Sequence, residues 1–110
     1  LIEEKDVGKG ITQYYSVLDS GFFKSRYERC SVTNKHFIFA MVACGNLPCT
    51  IANVAKNLGK TVTSISTTRA QLISKGIIYS AKYSELDFTV PDFDDFIRRN
   101  PEYDDWLKNK

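Results

Sequence analysis

Between Thr50 and Gly76 the chain runs TIANVAKNLGKTVTSISTTRAQLISKG, and this stretch decides the fold. Thr50 is of a residue type that caps helix N-termini, and Ile51, Val54, Ala55 and Leu58 then recur at helical spacing. Gly59 follows where a helix must stop or turn tightly. Thr61 is the natural cap of a second helix, Val62 to about Ser74, which Gly76 closes. The buried stripe of that helix is expected to be Ile65, Leu72 and Ile73, with Thr68 or Arg69 at its margin. Two helices joined only by Leu58-Gly59-Lys60 form a helix-turn-helix unit.

On its C-terminal side, Ile77-Ile78-Tyr79 and Leu86-Asp87-Phe88-Thr89-Val90 are rich in strand-forming residues. Ser80 to Glu85 between them is short enough for a hairpin tip. Pro91 ends the second strand, and Asp92 is placed to cap a helix carrying Phe93, Phe96 and Ile97 inward. Pro101 starts a last helical turn with Tyr103, Trp106 and Leu107 as its apolar face. On the N-terminal side, Thr33 is expected to cap a helix running to about Ala43, with Phe37, Ile38, Met41 and Val42 inward. Gly45-Asn46-Leu47-Pro48 ends it. Earlier still, Ile2 to Asp19 has helical periodicity, Gly21 marks a break, and Phe22, Phe23, Arg26 and Tyr27 begin another helical piece.

Helix, short helix, tight turn, longer helix and β-hairpin is the order of a winged helix-turn-helix. The sequence therefore predicts a mainly α fold with a small β-hairpin, with flanking N- and C-terminal helices. An N-terminal helical arm covers 1–30, the winged helix-turn-helix 31–99, and a C-terminal helical tail 100–110. A first residue of Leu1 is read as the start of a segment cut from a longer protein.

At 110 residues and 43% hydrophobic, the chain is long enough to bury one real core. Its longest apolar run, Phe37 to Cys44, is far too short to span a membrane, and no signal-peptide pattern opens the chain. Cys30, Cys44 and Cys49 lack C-x-x-C spacing, and His36 stands apart from any carboxylate cluster, so no metal site is assigned. Three thiols of this kind suit a reduced, cytoplasmic protein.

The net charge of +2 conceals a division along the chain. Residues 1–29 carry five bases and five acids; residues 30–84 carry Lys35, Lys56, Lys60, Arg69, Lys75 and Lys82 and no acid; residues 85–110 carry four bases and eight acids. The blocks sum as 0, +6 and −4. Fifty-five residues without one carboxylate exclude acid–base pairs and Mg²⁺ ligands there and suit a surface that meets an anion.

A helix entering the DNA major groove needs a slim leading face with hydrogen-bonding groups. Thr63, Ser66 and Thr67, with Val62 near them, supply hydroxyls and methyls at the outward positions of the second helix, and Thr61 stands at its start. Lys60 in the turn and Lys82 at the hairpin tip are placed to bracket phosphates, and Tyr83 to lie over the backbone or a sugar. The same polar face is equally what a solvated helix shows. Arg69 is assigned to a structural ion pair with an acid from Glu85 onward. Phe37, Phe39, Phe88, Phe93 and Phe96 are assigned to the core.

The run Arg69-x-x-Leu72-Ile73-x-Lys75-Gly76-Ile77-Ile78-Tyr79, then Phe88-Thr89-Val90-Pro91-x-Phe93 and Ile97-Arg98-Arg99, resembles the C-terminal winged-helix domain of prokaryotic AAA-type ATPases. These are the group related to origin-recognition and archaeal-type ATPases. Phe22-Phe23-x-x-Arg26-Tyr27-x-Arg29 is similar to that group too, so the resemblance covers roughly Leu18 to Asn100. It implies that an ATPase module precedes this segment in the parent protein. The family's wing commonly has a Pro and an Arg-Gly at its tip, where this chain has Ala81 and Ser84-Glu85. No G-x-x-x-x-G-K-[ST] occurs; Gly8-Lys9-Gly10 is a fragment of that pattern without its hydroxyl.

Two functions follow as expectations. In one, the chain is an accessory domain of an ATPase that binds double-stranded DNA mainly through phosphates. In the other, it docks on its own ATPase module or on a partner, without DNA. Neither requires a cofactor in this segment, and no catalytic constellation points to an enzyme.

Overall fold

The computed structural model describes residues 19–109. The helix expected over Ile2 to Asp19 therefore lies almost wholly outside the described residues. A π-helical turn, Asp19–Phe23, runs directly into α1, Lys24–Glu28, so Gly21 does not break the chain as expected. There follow α2 (Val32–Ala43), β1 (Cys49–Thr50), α3 (Ile51–Leu58), α4 (Val62–Ser74), β2 (Ile78–Lys82), β3 (Glu85–Phe88), α5 (Phe93–Arg98) and α6 (Pro101–Lys108). The domain is mainly helical with one three-stranded antiparallel sheet in the order β1-β3-β2, a winged helix-turn-helix arrangement.

The core forms around α2. Phe37, Ile38, Phe39, Ala40, Met41 and Val42 are all buried, so the second half of this helix is covered on every side, wider than the stripe expected. Helices α3, α4, α5 and α6 all pack against it. Its start differs from expectation: Ser31 is the N-cap, not Thr33. The Ser31 hydroxyl accepts from the Asn34 amide at 3.1 Å, and the Asn34 side chain accepts from the Ser31 amide at 3.3 Å. A capping box satisfies two orphan amides at once, which a lone Thr33 cannot do.

Asn34 is fully buried and does more than cap. Its Nδ2 donates to Gln71 Oε1 at 3.1 Å, and its Oδ1 accepts from Lys75 Nζ at 2.6 Å. Lys75 Nζ also donates to the Arg29 carbonyl at 3.1 Å. The end of α4 is thereby locked to the start of α2 and to the end of α1. On the opposite side of α2, the Asn57 side chain donates to the Ala40 carbonyl at 3.0 Å and seats α3.

An aromatic chain runs from the sheet to the last helix. Phe88 meets Phe93 at 5.4 Å between ring centroids, Phe93 meets Phe96 at 5.6 Å, and Phe96 meets Phe23 at 5.4 Å and Tyr27 at 5.9 Å. Tyr27 then meets Phe39 at 6.4 Å, which contacts Tyr103 at 5.7 Å and Trp106 at 5.9 Å. Each such pair adds about 0.5–1.5 kcal/mol beyond area burial. Through Phe23, Tyr27 and Tyr103, the segments expected as an arm and a tail share the core of the helix-turn-helix. The Tyr27 hydroxyl donates to Glu102 at 2.9 Å, and burial followed by that carboxylate raises the phenol pKa far above its usual range. Leu107, expected inward, is exposed because α6 turns only Tyr103 and Trp106 toward α2.

The local punctuation of the helix-turn-helix is as expected. Thr50 caps α3 by accepting from the Asn53 amide at 3.2 Å, and Thr61 caps α4 by accepting from the Ser64 amide at 3.2 Å. Gly59 ends α3 at φ +67°, a left-handed conformation that costs any other L-residue about 1–2 kcal/mol. Elsewhere the reading needs correction. Cys49–Thr50 is a strand, pairing Cys49 with Leu86 and Thr50 with Glu85. Ile73 is exposed and Thr68 buried, because the face of α4 that meets α2 is Ile65, Thr68 and Leu72. Asp92 holds the cap position of α5 at φ +66°, but its carboxylate makes no cap hydrogen bond.

Two outcomes test this account. Asn34→Ala removes the hub, with the buried amide's bonds to Gln71 and Lys75 and its half of the capping box. It is expected to cost about 1–3 kcal/mol in a denaturant titration, and an unchanged midpoint would refute the role. The second concerns Cys49, whose thiol burial pushes up to about 12 from 9.0, with Cys44 contributing next. The folded state holds that proton where the unfolded chain releases it. Stability is therefore intact below about pH 9 and falls from there toward pH 12, by at most about 1.4 kcal/mol per pH unit for this group. Thermal melts of Cys49→Ala should show a shallower alkaline decline than the parent protein.

Candidate nucleic-acid interface

The face that α4 turns away from α2 is set by its buried stripe. With Ile65, Thr68 and Leu72 inward, Thr63, Ser66, Thr67 and Ala70 fall on the outside, and all four are exposed. The side chains are small and carry no charge, so the helix is slim along this face. Lys60 in the turn and Thr61 at the cap are exposed beside it. All seven residues expected at an interface (Lys60, Thr61, Thr63, Ser66, Thr67, Lys82 and Tyr83) are solvent-accessible.

Their hydroxyls are not equally available. Thr61 Oγ1 is held by the Ser64 amide, and Ser66 Oγ donates to the Thr63 carbonyl at 2.8 Å. Thr61 is thus first a structural cap. Ser66 retains its oxygen as an acceptor, and its hydroxyl proton must leave the Thr63 carbonyl before it can reach another group.

The wing is shorter than the six-residue tip expected. Lys82 pairs with Glu85 across the ladder, leaving only Tyr83 and Ser84 as the turn, and Ser84 takes φ +64°. A bulge between Ser80 and Lys82 absorbs Ala81 as the extra residue. The Ile51 amide donates to the Ser84 carbonyl at 2.9 Å, so the tip is tied to the first residue of α3. Tyr83 is 97% exposed there. Beside this tip, Ala52 and Asn53 in the first turn of α3 are exposed. They were not among the expected contacts, although the Thr50 cap already placed them at a helix N-terminus.

The structure divides the six bases of the acid-free block. Lys75 is spent on Asn34 and the Arg29 carbonyl, and Lys35 lies over the Tyr27 ring at 4.5 Å. Lys56, Lys60 and Lys82 remain exposed, and Arg69 is half-buried. Arg69, expected to pair with an acid from the C-terminal block, makes no ion pair among the described residues. The ion pairs described lie within single helices: Lys24 with Glu28 at 3.6 Å, and Arg98 with Asp94 at 2.7 Å and Asp95 at 3.1 Å. Those two carboxylates raise the Arg98 pKa above its usual value. Asp94 and Asp95 are thus paired within their own helix, and no acid of the C-terminal block forms an ion pair with α4 among the described residues.

Cys30 and Cys49 are buried and Cys44 is half-buried, and none of the three forms a disulfide. Among the described residues, no three His, Cys, Asp or Glu side chains gather closely enough to hold a metal ion, and no helix is long and apolar enough to cross a membrane.

The structural and interface roles of the turn separate by mutation. Thr61→Ala is expected to cost about 1 kcal/mol of stability through the lost cap, with Thr61→Ser restoring it. Thr63→Ala, on the free face, should stay within about 0.5 kcal/mol of the parent protein in the same thermal melts.

No curated protein and no solved structure gives a match to this chain. One family model matches residues 20–97, from the π-helical turn to α5, and so includes α1, the helix-turn-helix and the hairpin. Its match begins well before the boundary expected at residue 31, in keeping with the place of Phe23 and Tyr27 in the core. The chain belongs to this family, described as a domain of unknown function, DUF8462.

Proposed function

We propose that this chain is a DNA-binding winged helix and an accessory domain of an AAA-type ATPase. The observation that carries the DNA reading is the outer face of α4. Thr63, Ser66, Thr67 and Ala70 form an exposed, slim, acid-free surface with Lys60 at its leading end. Such a face enters a major groove without steric obstruction or charge repulsion. Lys60 and Lys82 meet phosphates, and Asn53 at the start of α3 reaches the same backbone beside Tyr83. The link to an ATPase rests on the resemblance of the Arg69–Tyr79 and Phe88–Phe93 runs. No catalysis is assigned to this chain, and three cysteines outside any disulfide suit a cytoplasmic setting.

Three or four cations make a modest field, so binding is weak and sequence-tolerant. Glu85 opposite Lys82 reduces it further at the wing. A second reading draws on the apolar side chains exposed next to this face, Val62 and Ile73 on α4 and Tyr79 on β2. These favour a protein partner, in which case the domain docks on the ATPase module and DNA is irrelevant.

Fluorescence anisotropy with random-sequence duplex DNA between 50 and 200 mM salt tests the first reading. Binding is expected to weaken with salt, with Lys60→Glu and Lys82→Glu each reducing the log–log slope by about one. Absence of binding at 50 mM salt, or a slope indifferent to both changes, would sink it. Nucleotide-dependent association with the ATPase module, lost in Ile73→Asp, would establish the second.

A further inference from the structure

A cleft of about 450 Å³ opens on the helix-turn-helix between the first turns of α2, the end of α3, the inner edge of α4 and Trp106 of α6. Its floor is apolar: Phe37 and Ile65 are buried, and Leu58 is half-buried. Trp106 forms one wall. Lys56 and Lys60 also line it, and both are exposed, so their long side chains can bring ammonium groups to its mouth. No Asp or Glu lines this cleft. A neighbouring cleft shares His36 and Trp106 with it and is lined by Glu102 and Asp105. An anion is therefore favoured at the α3 end and repelled at the α6 end.

We infer that this cleft binds a small planar aromatic acid. Its ring packs on Leu58 and against Trp106, and its anionic group lies at Lys56 and Lys60. The volume accepts one or two fused rings, within the range of small-molecule sites. An apolar floor alone would take any hydrocarbon; two lysines without a neighbouring carboxylate select the charged form, since each charge-assisted hydrogen bond is stronger than a neutral one. A carboxylate and a phosphate satisfy that pair through the same chemistry.

The chain contains one tryptophan, so its indole N–H is a single reporter on the cleft wall. The test is a titration of the ¹⁵N-labelled 110-residue chain with 2-naphthoate, 2-naphthyl phosphate, the neutral 2-naphthamide and inorganic phosphate, followed by ¹H–¹⁵N correlation spectra. DNA is absent, so this inference and the DNA reading fail separately. Saturable shifts of the Trp106 indole and of the Gly59 and Lys60 amides are expected with both naphthyl anions. The tighter of the two identifies the preferred anionic group. The amide and inorganic phosphate alone should each bind at least about tenfold more weakly, about 1.4 kcal/mol. Lys56→Gln with Lys60→Gln, at exposed positions that leave the core intact, should remove most of the affinity. Equal binding of acid and amide, shifts that miss the three reporters, or full affinity in the double lysine variant would overturn the inference.

Discussion

A helix whose residues are buried on all sides has no face left for water, and every neighbour must be placed to cover it. In this domain that condition holds for the second half of α2, Phe37 to Val42. The elements α3, α4, α5 and α6 are its cover. Apolar burial is non-directional, however, and would tolerate several arrangements of those helices. Direction comes from polar groups set into the contact. Asn34 joins α2 to Gln71 and Lys75 of α4 and its cap, and Asn57 joins α3 to the Ala40 carbonyl. A buried amide with an unmatched donor is costly, so these bonds select one orientation of the helix-turn-helix on its support. The outer face of α4 is the geometric complement of that choice.

The electrostatics follow from the same packing. A count of charge along the chain assigns six bases to the central block, yet two of them serve the fold. Lys75 is drawn in by Asn34, and Lys35 by the Tyr27 ring. Three carboxylates of the last block are likewise occupied, Asp94 and Asp95 by Arg98 of their own helix and Glu102 by the Tyr27 hydroxyl. What remains on the helix-turn-helix is a few unopposed cations beside small hydroxyl side chains. Both the proposed DNA face and the acid-free cleft draw on that remainder, with Lys60 common to the two.

Local chemistry was legible residue by residue. Thr50, Gly59 and Thr61 act within one turn of their own positions, and each does what its side chain or backbone favours. The exposed row Thr63, Ser66 and Thr67 follows from the same periodicity. The misreadings share another origin. Ser31 wins over Thr33 because Asn34 completes a capping box and is pulled inward by α4. Cys49–Thr50 becomes a strand only because β3 lies alongside it. Ile73 faces out because α4 turns Ile65, Thr68 and Leu72 toward the core. For the strand and the face of α4 the deciding partner is distant in sequence; for Ser31 it is Asn34, three residues on, which α4 holds in place.

By itself, then, the sequence determined the order of the helix-turn-helix and its hairpin, the roles of Thr50, Gly59 and Thr61, the aromatic core and the absence of acids around the helix-turn-helix. Those properties depend on hydrogen bonds and hydrophobic periodicity within a few residues. Tertiary structure alone decided how far the wing projects, which lysines remain for a partner, and where a cleft opens beside Trp106. These depend on pairings such as Ile51 with Ser84, Asn34 with Lys75, and α2 with α6. Contacts across dozens of residues are fixed by the close packing of the whole core, which no local pattern encodes.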